Sequence, residues 1–566
     1  MDLKKSIGDI ISPLVGLDAD KIAALVEIPP KNVPGDFALP CFSFAKIMRK
    51  NPAIIAGEFA EQVTLNDNFA KVEANGAYLN FYVNPAVVAA ETIRNIIHAG
   101  DDYGRHPATG KKIVIEFPAP NTNKPLHLGH VRNMLLGQSL TEILRAGGHT
   151  VFPVNLNNDR GVHICKSMLA YQRWGEDAEP DVKSDHYVGQ WYVRFQQELE
   201  QNPELETEAQ SMLALWEDGD PEIRALWQKM NTWALDGFRE TFGKFEIEFV
   251  KEYFESDFYM QGKDIILKAL DDGIFQKNEE GAVLAELEPY NLPNKVLLRA
   301  DGTAIYMTQD IALAMLKKQD FDYDLSVFVV GNEQINHFKQ LFQILKMLGI
   351  EADSYHLAYG MIKLPSGKMK SREGKSVDAD DIVSEMTTLA EQEVRERYPD
   401  LDEDDIAQRA STIGMAALRY FILKYEAMRD FVFNPAETIS FEGETGPYIL
   451  YAYARISSIF AKAGVSREEM GDAEYSLLTH ETEIALINLL GKYPDIIQEA
   501  GNMYKPHLIA HYLMDLAQTF TRFYDACPVK DAEPTVRDAR LSLLVAVQIV
   551  MKNGLGLFHI HVLEKM

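Results

Sequence analysis

The sequence predicts an α/β protein of several domains. A domain built on a parallel sheet carries a helical insertion and lies between a small α+β domain and an all-α carboxyl-terminal domain. Three observations predict this architecture. At 566 residues the chain is too long for a single hydrophobic core. Strand-like apolar runs alternate with helical runs in the middle of the chain. From about residue 405 onward, long amphipathic patterns with short breaks predict helices only.

Residues 1–107 are expected to form the small domain. The segment "GAYLNFYVNP" alternates apolar and polar residues as a half-buried strand does, and "NPAIIAGEFAEQV" has helical spacing. The turn-rich segment "GRHPATGKK" then predicts a linker. The charged first residues are untypical of a secretory signal, and no run reaches the roughly eighteen apolar residues of a membrane span. We therefore expect a cytoplasmic protein without a membrane segment.

Residues 108–435 are expected to form the parallel-sheet domain. "KKIVIEF" is a nearly continuous apolar run of strand length. A Pro- and Asn-rich loop follows it, and "HVRNMLLGQSLTEILRAGG" then predicts a helix that ends at Gly147 and Gly148. The segment "HTVFPVNLN" predicts the next strand. Such a strand–helix–strand unit is typical of parallel sheets, in which ligands bind beyond the carboxyl ends of the strands.

The stretch from about residue 171 to about residue 290 is acidic and helical in pattern, which predicts a mostly helical insertion. It contains all of the tryptophans: Trp174, Trp191, Trp216, Trp227 and Trp233. The α/β pattern resumes with "GTAIYMT" before a helix and "LSVFVVG" before another helix that ends at Gly349. The all-α domain is expected over residues 436–566.

The formal charge of −28, from 56 basic and 84 acidic residues, argues against broad attraction to nucleic acid. A whole-chain charge can still hide a local basic surface, so nucleic-acid binding would depend on placed residues and on salt. The cysteines, Cys41, Cys165 and Cys527, lie far apart and form no Cys-x-x-Cys pair. Neither a disulfide framework nor a structural zinc site is expected.

A candidate phosphate site lies at the start of the first helix of the sheet domain. The loop "PAPNTNKPLHLG" places His127, Gly129 and His130 after a strand and at a helix amino terminus, whose free amides favour phosphate. The histidines can donate hydrogen bonds to phosphate oxygens, and Gly129 leaves room for a nucleotide against the backbone. The alternative is that the two histidines cap the helix or fill the core.

A second candidate site is the basic, glycine-punctuated segment "GMIKLPSGKMKSREGKSVDADDIVSEM", which runs into a helix. Lys368 and Lys370 in it could reach the outer phosphates of a nucleotide as point charges. The alternative is an ordinary solvated run of charges.

Several segments together resemble those of class I aminoacyl-tRNA synthetases, and within them the arginine-specific family. They are "GDFALPCFSFAK", "HLGH", "DGTAIYMTQDIA", "VVGNEQINHFKQ", "GKMKSREG", "FEGETGPYILYAYARI" and "RDARLSLL". Their order and spacing match the family over nearly the whole chain. The resemblance implies a Rossmann-like catalytic domain, a tRNA-contacting amino-terminal domain and an anticodon-binding carboxyl-terminal domain. It also implies the substrates ATP, arginine and tRNA, with Mg²⁺ as cofactor, and a monomer.

The resemblance matches both signature histidines but only part of the lysine signature. "HLGH" is similar to the HIGH signature, and Lys368 to Arg372 align with KMSKS, but Ser371 stands where that signature has its second lysine. In family members with an altered loop, a lysine just before HIGH is thought to compensate, and Lys124 occupies that place. We therefore name Lys124, Lys368 and Lys370 as candidate catalytic lysines.

Arginine recognition calls for carboxylates, because a guanidinium is a planar fork of donors that pairs best with them. Glu116 ends the first strand, and Asp310 is expected to begin a helix. Their alternatives are a satisfied strand-end carboxylate and a helix cap. The resemblance places both residues with Tyr306 around the arginine side chain, and Asn121 and Gln334 near its α-amino and carboxylate groups.

Other residues carry weaker expectations. His337 and Asp159 have functional and structural interpretations of equal weight. Three tyrosines of the carboxyl-terminal domain could stack on anticodon bases, although an aromatic at helical spacing is more often part of the core. They are Tyr448, Tyr451 and Tyr453. Arg455 and Arg522 are candidates for phosphate contacts.

The sequence has three alternative functional interpretations. A small-molecule nucleotidylyltransferase shares the His-x-Gly-His pattern, but such chains are generally shorter and leave the helical carboxyl-terminal region unexplained. A synthetase for leucine, valine or isoleucine would need an apolar pocket, which Glu116 and Asp310 argue against. A non-catalytic RNA-binding relative should have lost the histidines or the lysine segment, and this chain has both.

Overall fold

The computed structural model describes residues 3–30, 33–363, 365, 377–467, 470 and 472–566. Lys368 and Lys370 lie outside these residues. The helices and strands of the amino-terminal part are α1 (Leu3–Val15), α2 (Ala19–Ala23), β1 (Phe37–Pro40), α3 (Ala45–Met48), α4 (Pro52–Gln62), β2 (Phe69–Asn75), β3 (Tyr78–Val83) and α5 (Pro85–Ala99).

The middle part of the chain contains the sheet domain. Its helices and strands are β4 (Lys112–Glu116), α6 (Leu128–Ala146), β5 (Thr150–Asn157), α7 (Val162–Trp174), α8 (Ser184–Leu199), α9 (Leu205–Asp218), α10 (Pro221–Lys244), β6 (Lys251–Phe254), α11 (Glu255–Phe258), α12 (Gln261–Asp271), β7 (Gln276–Lys277), β8 (Val283–Ala285), β9 (Lys295–Leu298), α13 (Tyr306–Phe321), β10 (Leu325–Gly331), α14 (Ile335–Met347), β11 (Asp353–Tyr359) and β12 (Ile362–Lys363).

The remaining part is almost entirely helical, as the sequence predicts. It contains α15 (Ala379–Arg397), α16 (Glu403–Leu423), β13 (Phe431–Val432), α17 (Pro435–Thr438), α18 (Gly446–Ala463), α19 (Glu481–Gly491), α20 (Tyr493–Met503), α21 (His507–Ala526) and α22 (Pro534–Gly556). Among the described helices, none combines the length and the apolar character needed to cross a membrane.

The amino-terminal domain packs its helices on an antiparallel sheet of order β1-β3-β2. Its core includes Ile7, Phe44, Phe59 and Phe81. Helix α4 begins where Asn51 caps it, accepting the N–H of Ala53 through its side chain. The strand and the helix that the sequence predicts here are β3 and α4.

Helix α5, at the end of the expected amino-terminal domain, contacts two cores, and Val88 packs against the amino-terminal one. Its buried residues Ala89, Ile93 and Ile96 join the main core of the molecule, and the helix packs against α19 and α22. The sequence pattern predicts an amphipathic helix here but not which domain it covers. Residues 1–107 therefore contribute to two cores, the amino-terminal one and the main one.

The central sheet is parallel and has the order β11-β10-β4-β5-β6. Strand β4 lies in its middle, and Ile113, Val114 and Ile115 are all buried. Helices cover both faces of such a sheet, which is why the strand is continuously apolar rather than alternating. After β4 the chain adds β5 and β6 on one side of it and β10 and β11 on the other. In parallel sheets such a reversal of strand order creates a ligand-binding crevice, which here is bordered by the carboxyl ends of β4, β5 and β10. The predicted α/β architecture is confirmed.

The stretch predicted to be a mostly helical insertion contains the helices α8 to α12 and also short strands. Its long helices, α8 to α10, end at Lys244, and residues Lys251–Phe254 form the outer strand β6 of the central sheet. Strands β7, β8 and β9 then form a small antiparallel sheet. The sequence pattern did not indicate these strands, because they have two to four residues each. Strands of that length carry too little alternation to be detected from the sequence.

The segment "GTAIYMT" is also not a strand before a helix, because α13 already begins at Tyr306. The hydroxyl of Thr308 accepts the N–H of Ile305 at 3.3 Å, which satisfies one free amide at this helix end. Asp310 consequently lies one turn inside α13 rather than at its start. The capping role considered for Asp310 is therefore wrong.

Candidate active site

The two histidines form a compact pair at the amino terminus of α6. His127 is the cap residue, and its Nδ1 accepts the N–H of Gly129 at 3.1 Å. His130 Nδ1 accepts the N–H of His127 at 3.1 Å, and the centres of the two rings lie 3.9 Å apart. The histidines therefore do cap the helix, but they use only one nitrogen each for it. The capping and the ligand-binding interpretations are compatible.

The environment keeps both rings neutral. Burial, with a smaller contribution from the Lys124 charge, lowers the pKa of His127 to about 4. Burial and the neighbouring His127 hold the pKa of His130 well below its usual range. Because each Nδ1 accepts a backbone N–H, each neutral ring must carry its hydrogen on Nε2. The pair thus offers two uncharged N–H donors that are already oriented by the backbone.

Lys124 lies close to this pair, since its charge lowers the pKa of both histidines and of His163. His163 was not singled out from the sequence. Burial lowers its pKa to about 4, and its Nε2 is buried with no hydrogen-bond partner among the described residues. Its position two residues after Gly161, at the start of α7, is the signal that could have indicated it.

The loop between β4 and α6 is held by the loop after β5. The N–H of Asn158 donates to the carbonyl of Pro120 at 2.9 Å, and the N–H of Thr122 donates to the carbonyl of Asn158 at 3.2 Å. The side chain of Asn123 donates to the carbonyl of His163 at 3.1 Å. Asn121, partly exposed, is therefore fixed between the carboxyl ends of β4 and β5.

Asp310 and His337 meet at the other end of the crevice. His337 Nε2 and Asp310 Oδ2 lie 2.6 Å apart, which joins α13 to α14. Tyr306 is 79% exposed and lies on the same face of α13 as Asp310, one turn earlier. Gln334 is exposed and ends the short helical turn after β10. The structure thus groups Asp310, His337 and Tyr306.

Glu255 is the functional candidate that the sequence did not reveal. It follows β6 directly, at the same edge of the sheet, and is only 8% exposed. Burial, opposed by Arg160 and assisted by the negative charges of Asp159 and Asp310, raises the pKa of Glu255 to about 7. Asp310 is therefore a near neighbour of Glu255. The signal was a carboxylate at a strand end, which was missed because β6 itself was not predicted.

Two predicted carboxylates have strong partners inside the protein. Glu116 is 7% exposed, and its Oε2 lies 2.7 Å from Nζ of the buried Lys317. This pair is neutral, so the structure favours the structural alternative for Glu116, and its arginine-binding role stays a prediction. Asp159 is buried and accepts the N–H and the hydroxyl of Ser256 at 2.9 and 2.6 Å. Those bonds favour a structural role for Asp159.

The described residues contain one group able to offer three ligand atoms to a metal: Asp185, His186 and Asp380. Lys183 Nζ lies 3.0 Å from Asp185 and 2.8 Å from Asp380, so an ammonium group already supplies the positive charge. These residues do not fit a resident metal ion. The three cysteines are free and buried.

The three candidate tyrosines of the carboxyl-terminal domain differ in burial. Tyr453 is 3% exposed, so the core alternative is correct for it. Tyr448 is partly buried, and its hydroxyl lies 3.1 Å from that of Thr521. Tyr451 is partly exposed and carries the guanidinium of Arg455 on its ring at 4.7 Å.

The guanidinium of Arg455 also lies 4.9 Å from the ring centre of the exposed Tyr524 on α21. Tyr451, Arg455 and Tyr524 thus form a stack between α18 and α21, which we call the aromatic stack. Arg522 is exposed two residues before Tyr524. The sequence did not indicate Tyr524, because its pairing with Arg455 depends on how the two helices pack.

Comparisons with known proteins identify the class of this protein. Residues 92–435 match the family model for tRNA synthetases class I (R), catalytic domain. Residues 449–566 match the DALR anticodon binding domain, and residues 1–83 match the arginyl tRNA synthetase N terminal domain. The parallel-sheet domain is therefore the catalytic domain of a class I aminoacyl-tRNA synthetase.

Individual relatives narrow the class to one family. The chain is 43% identical over 582 residues to the arginine–tRNA ligase of Treponema denticola, with 100% of this chain and 99% of the relative covered. It is 41% identical over 581 residues to that of Treponema pallidum subsp. pallidum, with the same coverage. The solved Thermus thermophilus arginyl-tRNA synthetase superposes with a TM-score of 0.76 at 27% identity, covering 100% of this chain and 99% of the other. The chain belongs to the arginyl-tRNA synthetase family.

Proposed function

We propose that the protein uses ATP to attach arginine to tRNA through an arginyl-adenylate. The observation that carries this proposal is the division of one sheet edge into two chemically different ends. One end presents the neutral Nε2–H donors of His127 and His130. The other presents the neighbouring carboxyl groups of Asp310 and Glu255. Donors suit the phosphates of ATP, and carboxylates suit a guanidinium.

In the first step, an oxygen of the arginine carboxylate attacks the α-phosphorus of ATP, and the bond to pyrophosphate breaks. The protein positions the groups and neutralises developing negative charge rather than forming bonds itself. His127 and His130 donate to the phosphate oxygens, the backbone at Gly129 lies along the nucleotide, and the charge of Lys124 lies nearby. Lys368 and Lys370 are proposed to join them at the pyrophosphate. Mg²⁺ would arrive with ATP and supply further charge neutralisation.

Arginine selection is assigned to the other end of the crevice. Asp310 and Glu255 would share the guanidinium, and Tyr306 would lie beside it on the face of α13 that Asp310 occupies. Asn121 and Gln334 would hold the α-amino and carboxylate groups. Burial raises the pKa of Glu255 to about 7 although Arg160 Nη1 lies 3.6 Å from its Oε1, so a further positive charge such as a guanidinium would favour its ionised form.

In the second step, the 2′-hydroxyl of the terminal ribose of tRNA attacks the carbonyl carbon of the arginyl-adenylate, the acyl–phosphate bond breaks, and AMP leaves with the hydroxyl proton. The aromatic stack is proposed to receive anticodon bases, since exposed tyrosines stack on splayed bases. The amino-terminal domain would contact the tRNA elbow, and Arg522 a phosphate. With a net charge of −28, tRNA binding must depend on such local contacts and should weaken steeply with salt. We also expect a cytoplasmic monomer, and light scattering tests the monomer.

The experiment that tests the function is ATP–pyrophosphate exchange with each of the twenty amino acids, with and without tRNA. Exchange should occur with arginine only. Because Ser371 replaces a signature lysine, we further expect it to require tRNA. Exchange with arginine at full rate without tRNA would refute that requirement and leave the function standing. Absence of exchange under every condition would refute the function.

A further inference from the structure

Backbone hydrogen bonds join the residues just before α15 to the residues around His127. The N–H of Leu128 donates to the carbonyl of Val377 at 2.9 Å, and the N–H of Ala379 donates to the carbonyl of Leu126 at 3.0 Å. His127 and Asp378 are the directly opposed pair of this short antiparallel bridge. The position of His127 therefore depends on where the start of α15 is held.

The start of α15 is held by charges from the insertion. Asp380 receives three donors: Nζ of Lys183 at 2.8 Å, the hydroxyl of Thr241 at 3.1 Å and Nζ of Lys244 at 2.5 Å. Lys183 directly precedes α8, whereas Thr241 and Lys244 belong to α10. Against the effect of burial, His186, Lys183 and Lys244 hold the pKa of Asp380 well below its usual range, so its carboxylate stays charged.

A second layer of charges surrounds this contact. Lys183 Nζ also lies 3.0 Å from the fully buried Asp185, and His186 Nε2 lies 3.3 Å from Asp378 and 3.5 Å from Asp380. The carboxylates of Asp378 and Asp380 raise the pKa of His186 to about 10, so it is positive at neutral pH. Three carboxylates thus face two lysines and one histidinium, and the cluster is neutral as a whole.

Helix α8 of the insertion also contacts the loop that precedes the two histidines. Gly189 of α8 lies so close to this loop that an added Cβ would come within 2.7 Å of Pro125 Cδ. In α10, a Cβ on Gly237 would come within 2.4 Å of Oδ1 of Asp185. Helix α8 therefore packs closely on this loop at Gly189 and on α10 at Gly237.

We propose that Lys183, His186 and Asp380 are positioning residues for arginine activation, acting through the short bridge between Leu126–Leu128 and Val377–Ala379 on the histidine pair. The proposal rests on the proposed phosphate role of His127 and His130. Breaking the cluster frees the start of α15, and the Nε2–H donors lose their alignment with the reacting phosphate. Buried ion pairs contribute little to stability when compared with apolar replacements, so a positioning role accounts better for such a charge-rich contact.

The first test substitutes Asp380→Asn and Lys183→Met and measures arginine-dependent ATP–pyrophosphate exchange with tRNA present. A small displacement of an aligned group costs rate steeply, so we expect kcat to fall by about tenfold or more while the KM for arginine stays unchanged. The matched control is Asp236→Asn, which removes an exposed carboxylate from α10 and should leave kcat unchanged. Thermal unfolding identifies any variant that fails to fold, and Lys183→Arg, which retains the charge, should recover most of the rate.

A double substitution distinguishes positioning from general structural damage. If Asp380 acts through the histidine pair, Asp380→Asn should slow a His127→Ala enzyme by much less than it slows the unsubstituted enzyme. Equal slowing in both backgrounds, or an unchanged kcat in a folded Asp380→Asn enzyme, would overturn the proposal. If His127→Ala alone leaves the rate unchanged, the phosphate role of that histidine fails first, and this result separates the two failures.

Discussion

The histidine end and the arginine end of the crevice are built in different ways. His127 and His130 lie within one helical turn, and the backbone N–H groups of Gly129 and His127 orient their rings. Asp310, His337 and Glu255 come from α13, α14 and α11, and they meet only because separate segments pack together. A local site is specified by neighbouring residues, whereas a composite site is specified by the whole fold. The first kind can be found in a sequence, and the second largely cannot.

The two ends also differ in electrostatics. Burial keeps the histidines neutral, so they act on the phosphates as uncharged hydrogen-bond donors. Burial and like charges at the other end raise the pKa of Glu255, which leaves that end ready for a cation. If this comparison is correct, substitutions at one end should affect one substrate and spare the other.

The largest effect is expected at the histidine end. His130→Ala should lower kcat for exchange by about a hundredfold, because one oriented donor to the phosphates is lost, while the KM for arginine changes little. His127→Ala should do the same and also lower the free energy of unfolding by about 1 kcal/mol, since it removes a helix cap. The control is His98→Ala, at an exposed position of α5. An unchanged kcat would remove the histidines from the mechanism.

At the arginine end, Asp310→Asn should raise the KM for arginine by about tenfold to a hundredfold, because a hydrogen bond to a charged group is lost. The KM for ATP should stay unchanged. Asp322→Asn removes an exposed carboxylate from the far end of the same helix and serves as the control. Equal changes in both KM values would contradict the separation of the two ends.

The pH dependence of arginine binding should follow Glu255. A carboxyl group with a pKa of about 7 is protonated as the pH falls below that value, and the protonated form no longer pairs with a guanidinium. The KM for arginine should therefore rise by about tenfold from about pH 8 to about pH 6. Glu255→Gln should raise the KM at all pH values and flatten this dependence. A profile unchanged by Glu255→Gln would assign the titration to another group.

An effect of about tenfold on a third substrate is expected at the aromatic stack, which lies in the region that matches the anticodon binding domain. Tyr451→Ala or Tyr524→Ala should raise the KM for tRNA by about tenfold in aminoacylation, as the loss of one base stack would. The KM for arginine and for ATP should not change. Tyr290→Ala, at an exposed aromatic outside this domain, is the control. Wild-type tRNA kinetics in both variants would exclude the stack from anticodon binding.

Sequence reasoning predicted the fold where elements are long and periodic. The apolar strand β4, the helix α6 and the helical carboxyl-terminal part are examples. It missed β6, whose four residues are too few for a pattern. It also did not show that α5 contributes to the main core, because an amphipathic pattern does not indicate which core the apolar face covers.

In the site, too, the sequence indicates residues of a local motif but not residues that only packing brings together. His127, Gly129 and His130 were found because one tetrapeptide carries them. Glu116 was proposed for arginine, yet its carboxylate pairs with Lys317, which lies 201 residues away in the chain. Glu255 was missed because its strand was missed. Partners that are brought together only by packing leave no local signal in a single sequence.

The most direct test of the two-ended crevice is equilibrium binding of labelled arginine, with tRNA present, to the unsubstituted enzyme, His130→Ala and Asp310→Asn. We predict that Asp310→Asn weakens arginine binding by at least about tenfold, whereas His130→Ala binds arginine as the unsubstituted enzyme does. The opposite pattern, or an unchanged affinity in Asp310→Asn, would contradict the assignment of arginine to this end of the sheet.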